Sequence, residues 1–324
     1  MVLIVAGHAN YLVIGLPVKD DILTTPLFTF LRVFAYQLGV VAVDCFVFIS
    51  GWFTIKNGLK KGGSLIIQSL EYGLGLSFLF ILLKCPVPKE QLIRMLFIGE
   101  FYWFIIAYLQ LLIVAPILNT FIEEVSQKTY KIVIISFFVF EFVYGWIGGV
   151  GNYEGGYSGI HFIGVYLLAQ YIRRYVSIDL TVKKSLIIYL VPAVASVGII
   201  ELGGVFLDEK WTYTTLRYMI AYNSPLILYS SIGLFFIFKR IEFKSRTINW
   251  LSSSVLAIYL IHLHPQFFEI VFTPLITMCD NNALLIIVFV VLISIICILI
   301  DKVRIIIEGV SLKGLSFLKK LFSN

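Results

Sequence analysis

Apolar runs about 20 residues long recur through this 324-residue chain, near 1–17, 33–55, 64–83, 95–118, 131–150, 159–176, 185–206, 217–238, 251–275 and 283–307. A run of that length crosses the ~30 Å hydrocarbon core of a bilayer as a helix, the form in which one segment satisfies its own backbone hydrogen bonds. The expectation is an all-α, polytopic membrane helical bundle of about ten transmembrane helices, with residues 1–308 as one membrane domain and 309–324 as a short basic tail. At 60% hydrophobic and 14% charged residues, a soluble globule is excluded.

An even number of crossings puts both termini on one side. The loops after the second, fourth, sixth and eighth runs, with the tail, hold 18 of the 25 Lys and Arg residues. Basic residues mark the cytoplasmic face, so N and C termini are both expected there. The same rule turns the net charge of +6 into a report of topology, and no nucleic-acid partner is expected. The first run has no basic flank and no small-residue cleavage site before Asp20, which argues against a signal peptide. It is also short, and the native span is expected to begin upstream of Met1. Val303 to Phe322 places Lys313, Lys319 and Lys320 among Ile, Leu and Phe, as an amphipathic helix on an anionic leaflet or an ordinary basic tail would. The four cysteines lack metal-ligand spacing and read as apolar fillers. No nucleotide-binding loop or zinc motif appears, and no metal is expected.

Ionisable side chains inside such runs are expensive and mark function by default. His8, in Gly7-His8-Ala9-Asn10-Tyr11, is either such a group or a core histidine bonded to a backbone carbonyl. Asp44, Ser50, Glu71, Glu141, His161, His262, His264 and Glu269 also fall inside runs, with Glu100 and Arg217 at outer ends. At ~1.5 Å per residue His8 and His262 reach similar depths and could share a cavity. Asp44 is expected to hold the tautomer of a catalytic histidine, because a carboxylate on one ring nitrogen raises the basicity of the other. Glu71, Glu141 and Glu269 are expected in structural pairs. The aromatics Tyr102, Trp103, Trp146, Tyr153, Tyr157 and Trp211 read mostly as an interfacial belt.

His8, followed by Val43-Asp44-Cys45-Phe46-Val47-Phe48-Ile49-Ser50-Gly51-Trp52, resembles the opening signature of the acyltransferase-3 family of integral membrane acyltransferases. Tyr102-Trp103-Phe104 with Tyr108 and Pro116, then Tyr222-Asn223-Ser224-Pro225, Ser253-Ser254 and Ile258-Tyr259-Leu260-Ile261-His262, resemble its later spans in order. The resemblance implies transfer of an acyl group, usually acetyl from cytoplasmic acetyl-CoA, to a hydroxyl of a glycan or lipid-linked sugar. It departs from the family in lacking an arginine about ten residues before the first-span histidine, and an R-x-x-R after the second span, where only Lys60-Lys61 stand. On this reading His8 is the general base, oriented by Asp44, with His262 as the alternative base. Asn10, Ser50, Trp103, Tyr108, Arg217 and Tyr222 are candidate substrate contacts. Lys56, Lys60, Lys61, Arg173 and Arg174 would dock the CoA phosphates, although topology explains the same residues without a ligand. The rival from another class is a secondary transporter or flippase for a polysaccharide precursor, in which buried His, Asp and Glu carry protons.

Overall fold

The computed structural model describes residues 1–98, 102–150, 154–177, 180–242 and 244–321, the side chains of Glu154 and of 309–321 excepted. Glu100, Asn152, Tyr153 and the side chains of the basic tail therefore lie outside the description. Every regular element among the described residues is helical. In chain order the principal helices are α1 (Val2–Ile14), α2 (Pro26–Phe53), α3 (Gly58–Leu82), α4 (Trp103–Glu124) and α5 (Gln127–Ile147). They are followed by α6 (Gly159–Tyr175), α7 (Val182–Phe206), α8 (Glu209–Lys239), α9 (Arg246–His262 with Pro265–Thr277) and α10 (Ala283–Leu321). Seven of these are long and apolar enough to cross a membrane, and α9 makes an eighth if its two halves count as one span. The fold is that of a multi-pass membrane protein. The crossing-length helices fall short of the ten apolar runs at α1 and α6, which carry such runs in shorter helices. The second and eighth begin earlier than hydropathy suggests, at Pro26 and Glu209. Past residue 308 the chain continues the last helix as far as Leu321.

Proline chemistry sets the breaks. Pro225 and Pro265 each open a helical segment, and the residue before a proline is pushed out of the helical region. α8 thus unwinds over 221–224, and the halves of α9 meet at 79° between His262 and Pro265. Two further departures lie next to polar residues. α1 passes into π-helix directly after His8, and α5 does so at Glu141. A π-turn inserts an extra residue and rotates the side chains that follow.

Small residues let the backbones approach. A Cβ on Gly51 would lie 2.7 Å from the Tyr166 carbonyl oxygen, and one on Gly58 would lie 2.3 Å from that of Leu112, so α2 and α3 seat against α6 and α4 only with glycine there. Among the described residues three buried clusters result, one of them joining Val33 of α2 to Val197 and Ile200 of α7 and Leu216 of α8. A second joins Val47 and Phe48 of α2 to Leu111, Phe162, Tyr166 and Phe235. The third joins Val5 of α1 to Tyr72, Ile105, Leu260 and Ile293. Phe104 packs against the second and the third.

Candidate functional site

The histidine of α1 meets the histidine at the break in α9. His8 Nδ1 lies 2.8 Å from His262 Nε2, and the rings stack with centroids 5.1 Å apart. On its other side His262 Nδ1 lies 2.5 Å from the carbonyl oxygen of Ile258. A carbonyl only accepts, so Nδ1 of His262 carries the proton and its Nε2 is a bare acceptor. Nδ1 of His8 must then donate, which leaves His8 Nε2 unprotonated. These tautomers follow from the hydrogen-bond pattern.

His8 lines a cavity of ≈ 130 Å³ enclosed by α1, α2, α4, α8 and α9. Trp103, Phe104, Phe46 and Tyr222 form its aromatic walls, and Tyr259 contributes a buried hydroxyl with no side-chain hydrogen-bond partner among the described residues. Trp103 is held by Tyr157 and Tyr222, with ring centroids at 4.5 Å and 5.4 Å. A basic imidazole nitrogen and a hydroxyl donor on the wall of an apolar, membrane-buried chamber form a site suited to proton transfer at a reacting carbonyl.

The acyltransferase-domain family model matches residues 1–301 of the chain. The protein is a member of the acyltransferase-3 family. No curated protein and no solved structure matches it.

In this acyltransferase, several residues singled out from the sequence take other partners. Asp44 does not touch His8. Its Oδ1 lies 3.1 Å from His161 Nε2, and Glu141 Oε1 lies 2.9 Å from the opposite ring nitrogen, His161 Nδ1. All three side chains are fully buried. The expected Asp44–His8 pair is corrected to Asp44–His161: Asp44 lies on the side of α2 that packs on α6. The partner of His8 is His262, both of whose ring nitrogens are occupied, one by His8 and the other by the Ile258 carbonyl. No group of three metal-ligating side chains fit to hold an ion occurs among the described residues. In the Asp44–His161–Glu141 string the carboxylates flank the ring from opposite sides and do not converge.

Trp103 and Tyr222 line the His8 cavity. Asn10, Ser50, Tyr108 and Arg217 do not. Asn10 Oδ1 accepts from Arg32 Nε at 2.9 Å, and the Asn10 amide donates to the Arg32 carbonyl. Ser50 and Tyr108 hydrogen-bond each other at 3.0 Å, and the Tyr108 ring supports Phe46 and Phe104 from behind. Arg217 lines a separate hollow with Trp146, Tyr213 and Asn223. Tyr102 leaves the interfacial belt for the interior, where it is buried and donates to the Leu260 carbonyl, whereas Tyr157 stays exposed and packs its ring on Trp103 and Tyr222. Glu71 pairs with Arg304 at 3.2 Å and Glu141 with His161, while Glu269 stays exposed.

At the far end of α2 two cations meet Trp52. Arg173 donates to the Trp52 carbonyl, and Lys239 stands 4.4 Å from the Trp52 ring centroid. Arg174 donates to the Ile122 carbonyl at 3.2 Å, and Lys56, Lys60 and Lys61 are exposed. Sequence reading missed Lys239, Tyr259 and the His161 string. Tyr259 stood in a quoted motif, but only the fold brings it to the cavity that His8 lines.

Proposed function

We propose that this acyltransferase moves an acetyl group from acetyl-CoA to a hydroxyl of a cell-surface polysaccharide or lipid-linked glycan, with His8 as general base. The observation that carries it is the His8–His262–Ile258 chain on a residue of the cavity wall, from which His8 Nε2 follows as the nitrogen without a proton. The acceptor oxygen attacks the thioester carbonyl carbon while its proton passes to His8 Nε2. The C–S bond then breaks, and the departing sulfur takes the proton back from His8. His262 is a positioning residue: it fixes the His8 tautomer and accepts from the imidazolium that forms. Tyr259 would donate its hydroxyl to the carbonyl oxygen as negative charge develops there.

The donor fits the Trp52 end of the bundle. Trp52 with Arg173 and Lys239 offers an aromatic face and cations to a nucleotide diphosphate. It lies six residues beyond Phe46 of the cavity wall, ~9 Å along a helix axis. This arrangement belongs to a topology of ten crossings with both termini cytoplasmic, in a bacterial cytoplasmic membrane. The test is acetyl-ester formation by the purified protein in lipid nanodiscs with acetyl-CoA and a glycan acceptor. Loss of ester formation in Tyr259→Phe and His8→Ala is expected. Transport of a precursor into vesicles without consumption of acetyl-CoA would support the transporter reading and overturn this one.

A further inference from the structure

We propose that the acceptor reaches His8 sideways out of the lipid, carried on a polyprenyl phosphate whose chain and phosphate occupy a groove between α1, α2 and α10. This deepens the acyl-transfer reading and rests on it for the reaction, though not for the binding.

The groove encloses ≈ 250 Å³, and its walls are mostly apolar, with Asn10, Asn281 and Tyr36 as polar neighbours and Arg32 as the charged residue in the lining. Phe28, Leu31 and Ile287 line it and are exposed, so it opens where lipid chains lie. The Arg32 guanidinium donates to the side chain of Asn10 and to the carbonyl of Gly15, all uncharged acceptors. No carboxylate among the described residues lies within ion-pair distance of it. Asp21 acts on Arg32 through space from outside ion-pair distance, but every hydrogen bond of the guanidinium goes to a neutral group, so facing a hydrocarbon-lined groove it retains positive charge for a ligand. A phosphate takes a guanidinium bidentately, and the exposed apolar walls suit the long chain behind it rather than a free anion. Charge and shape together select a phosphate-headed lipid.

The groove leads to the base. Tyr36 lines it and also lines a crevice of ≈ 20 Å³ shared with Gly7, His8 and Tyr222. His8 and Tyr222 in turn line the reaction cavity. One tyrosine ring is the partition between groove and base. A crevice of that volume admits about one water and no sugar, so Tyr36 must swing aside when the acceptor arrives.

The test uses the full chain in nanodiscs with a polyprenyl phosphate bearing a photoreactive group on its chain. Crosslinks are expected within 28–36 and 281–287, removed by excess unlabelled polyprenyl phosphate and not by phosphatidylglycerol. Arg32→Gln should weaken lipid binding about tenfold, the loss expected of a charge-assisted hydrogen bond, and Ala283→Trp should abolish the crosslinks by filling the groove. In the activity arm, Ala283→Trp should lower transfer to a polyprenyl-linked acceptor at least tenfold. It should leave transfer to a short water-soluble acceptor unchanged. Labelling elsewhere, or equal competition by phosphatidylglycerol, means an ordinary annular lipid and overturns the proposal; so does equal loss with both acceptors. Crosslinking in the groove by a protein with no transferase activity would retain the lipid site and overturn the acyl-transfer reading instead.

Discussion

Two of the histidines in this bundle, one half-buried and one fully buried, have opposite surroundings. His8 shares one nitrogen with a neutral imidazole and keeps the other bare on a cavity wall. His161 has a carboxylate on each nitrogen and no exposure at all. Both sit deep in a membrane protein, where depth alone marks either as functional. What separates them is valence. A ring with both nitrogens engaged cannot accept a proton from a substrate without first breaking a hydrogen bond, whereas His8 Nε2 needs no rearrangement. The carboxylates around His161 serve instead to join α2, α5 and α6.

Replacing each histidine in turn should break the comparison most sharply. His8→Ala should lower acetyl transfer by roughly 100- to 10,000-fold, the contribution of a positioned general base, with the thermal midpoint in detergent nearly unchanged. If His8→Ala keeps near-normal transfer while His262→Ala is dead, α9 carries the chemistry. His161→Ala should act on the fold instead. It strands two buried carboxylates, and breaking a buried pair costs about 3–5 kcal/mol. A large fall in yield and thermal midpoint is expected, with kcat of the surviving protein close to wild type. A stable but inactive His161→Ala would place it in the reaction.

His262 comes next in size. His262→Gln offers His8 Nδ1 an amide oxygen in place of the imidazole nitrogen, so transfer should fall by only about tenfold. His262→Ala, which offers nothing, should fall further. Because the base works unprotonated, transfer should decline as the pH falls through the range in which His8 takes up a proton. The acid limb should shift in His262→Gln, since the neighbour that stabilises the His8 imidazolium has changed. An unmoved limb would reduce His262 to a packing residue.

The membrane class was legible in the chain because apolar runs of fixed length follow from bilayer thickness, and the family was legible in motif order. His8 stood out for a physical reason, the cost of an imidazole in hydrocarbon. Its partner did not. Asp44 and His262 both fit a histidine-orienting role by depth, and depth is a one-dimensional quantity. Which of them meets His8 depends on rotation about each helix axis, set by Gly51 against Tyr166 and by the Pro265 break, and neither is written in spacing. The same blindness hid Arg32, whose neutral partners Asn10 and Gly15 come from α1 and the turn after it.

The smallest expected effect is the most discriminating. In Glu141→Gln the side-chain oxygen can still accept from His161 Nδ1, so the hydrogen bond survives while one buried negative charge is removed. If the string only ties helices together, the loss of charge is met in one of two ways: His161 stays protonated between the amide oxygen and the Asp44 carboxylate, or a neutral His161 donates to the amide oxygen and accepts at Nε2 from a protonated Asp44. Stability should change by under ~1 kcal/mol, and transfer should stay within about threefold. A string that conducts a proton to the cavity behaves differently, because an amide cannot take up and release a proton, and transfer would fall ~100-fold with the thermal midpoint intact. Paired measurements of midpoint and kcat on Glu141→Gln therefore separate the two histidines by function, where the alanine variants separate them chiefly by stability.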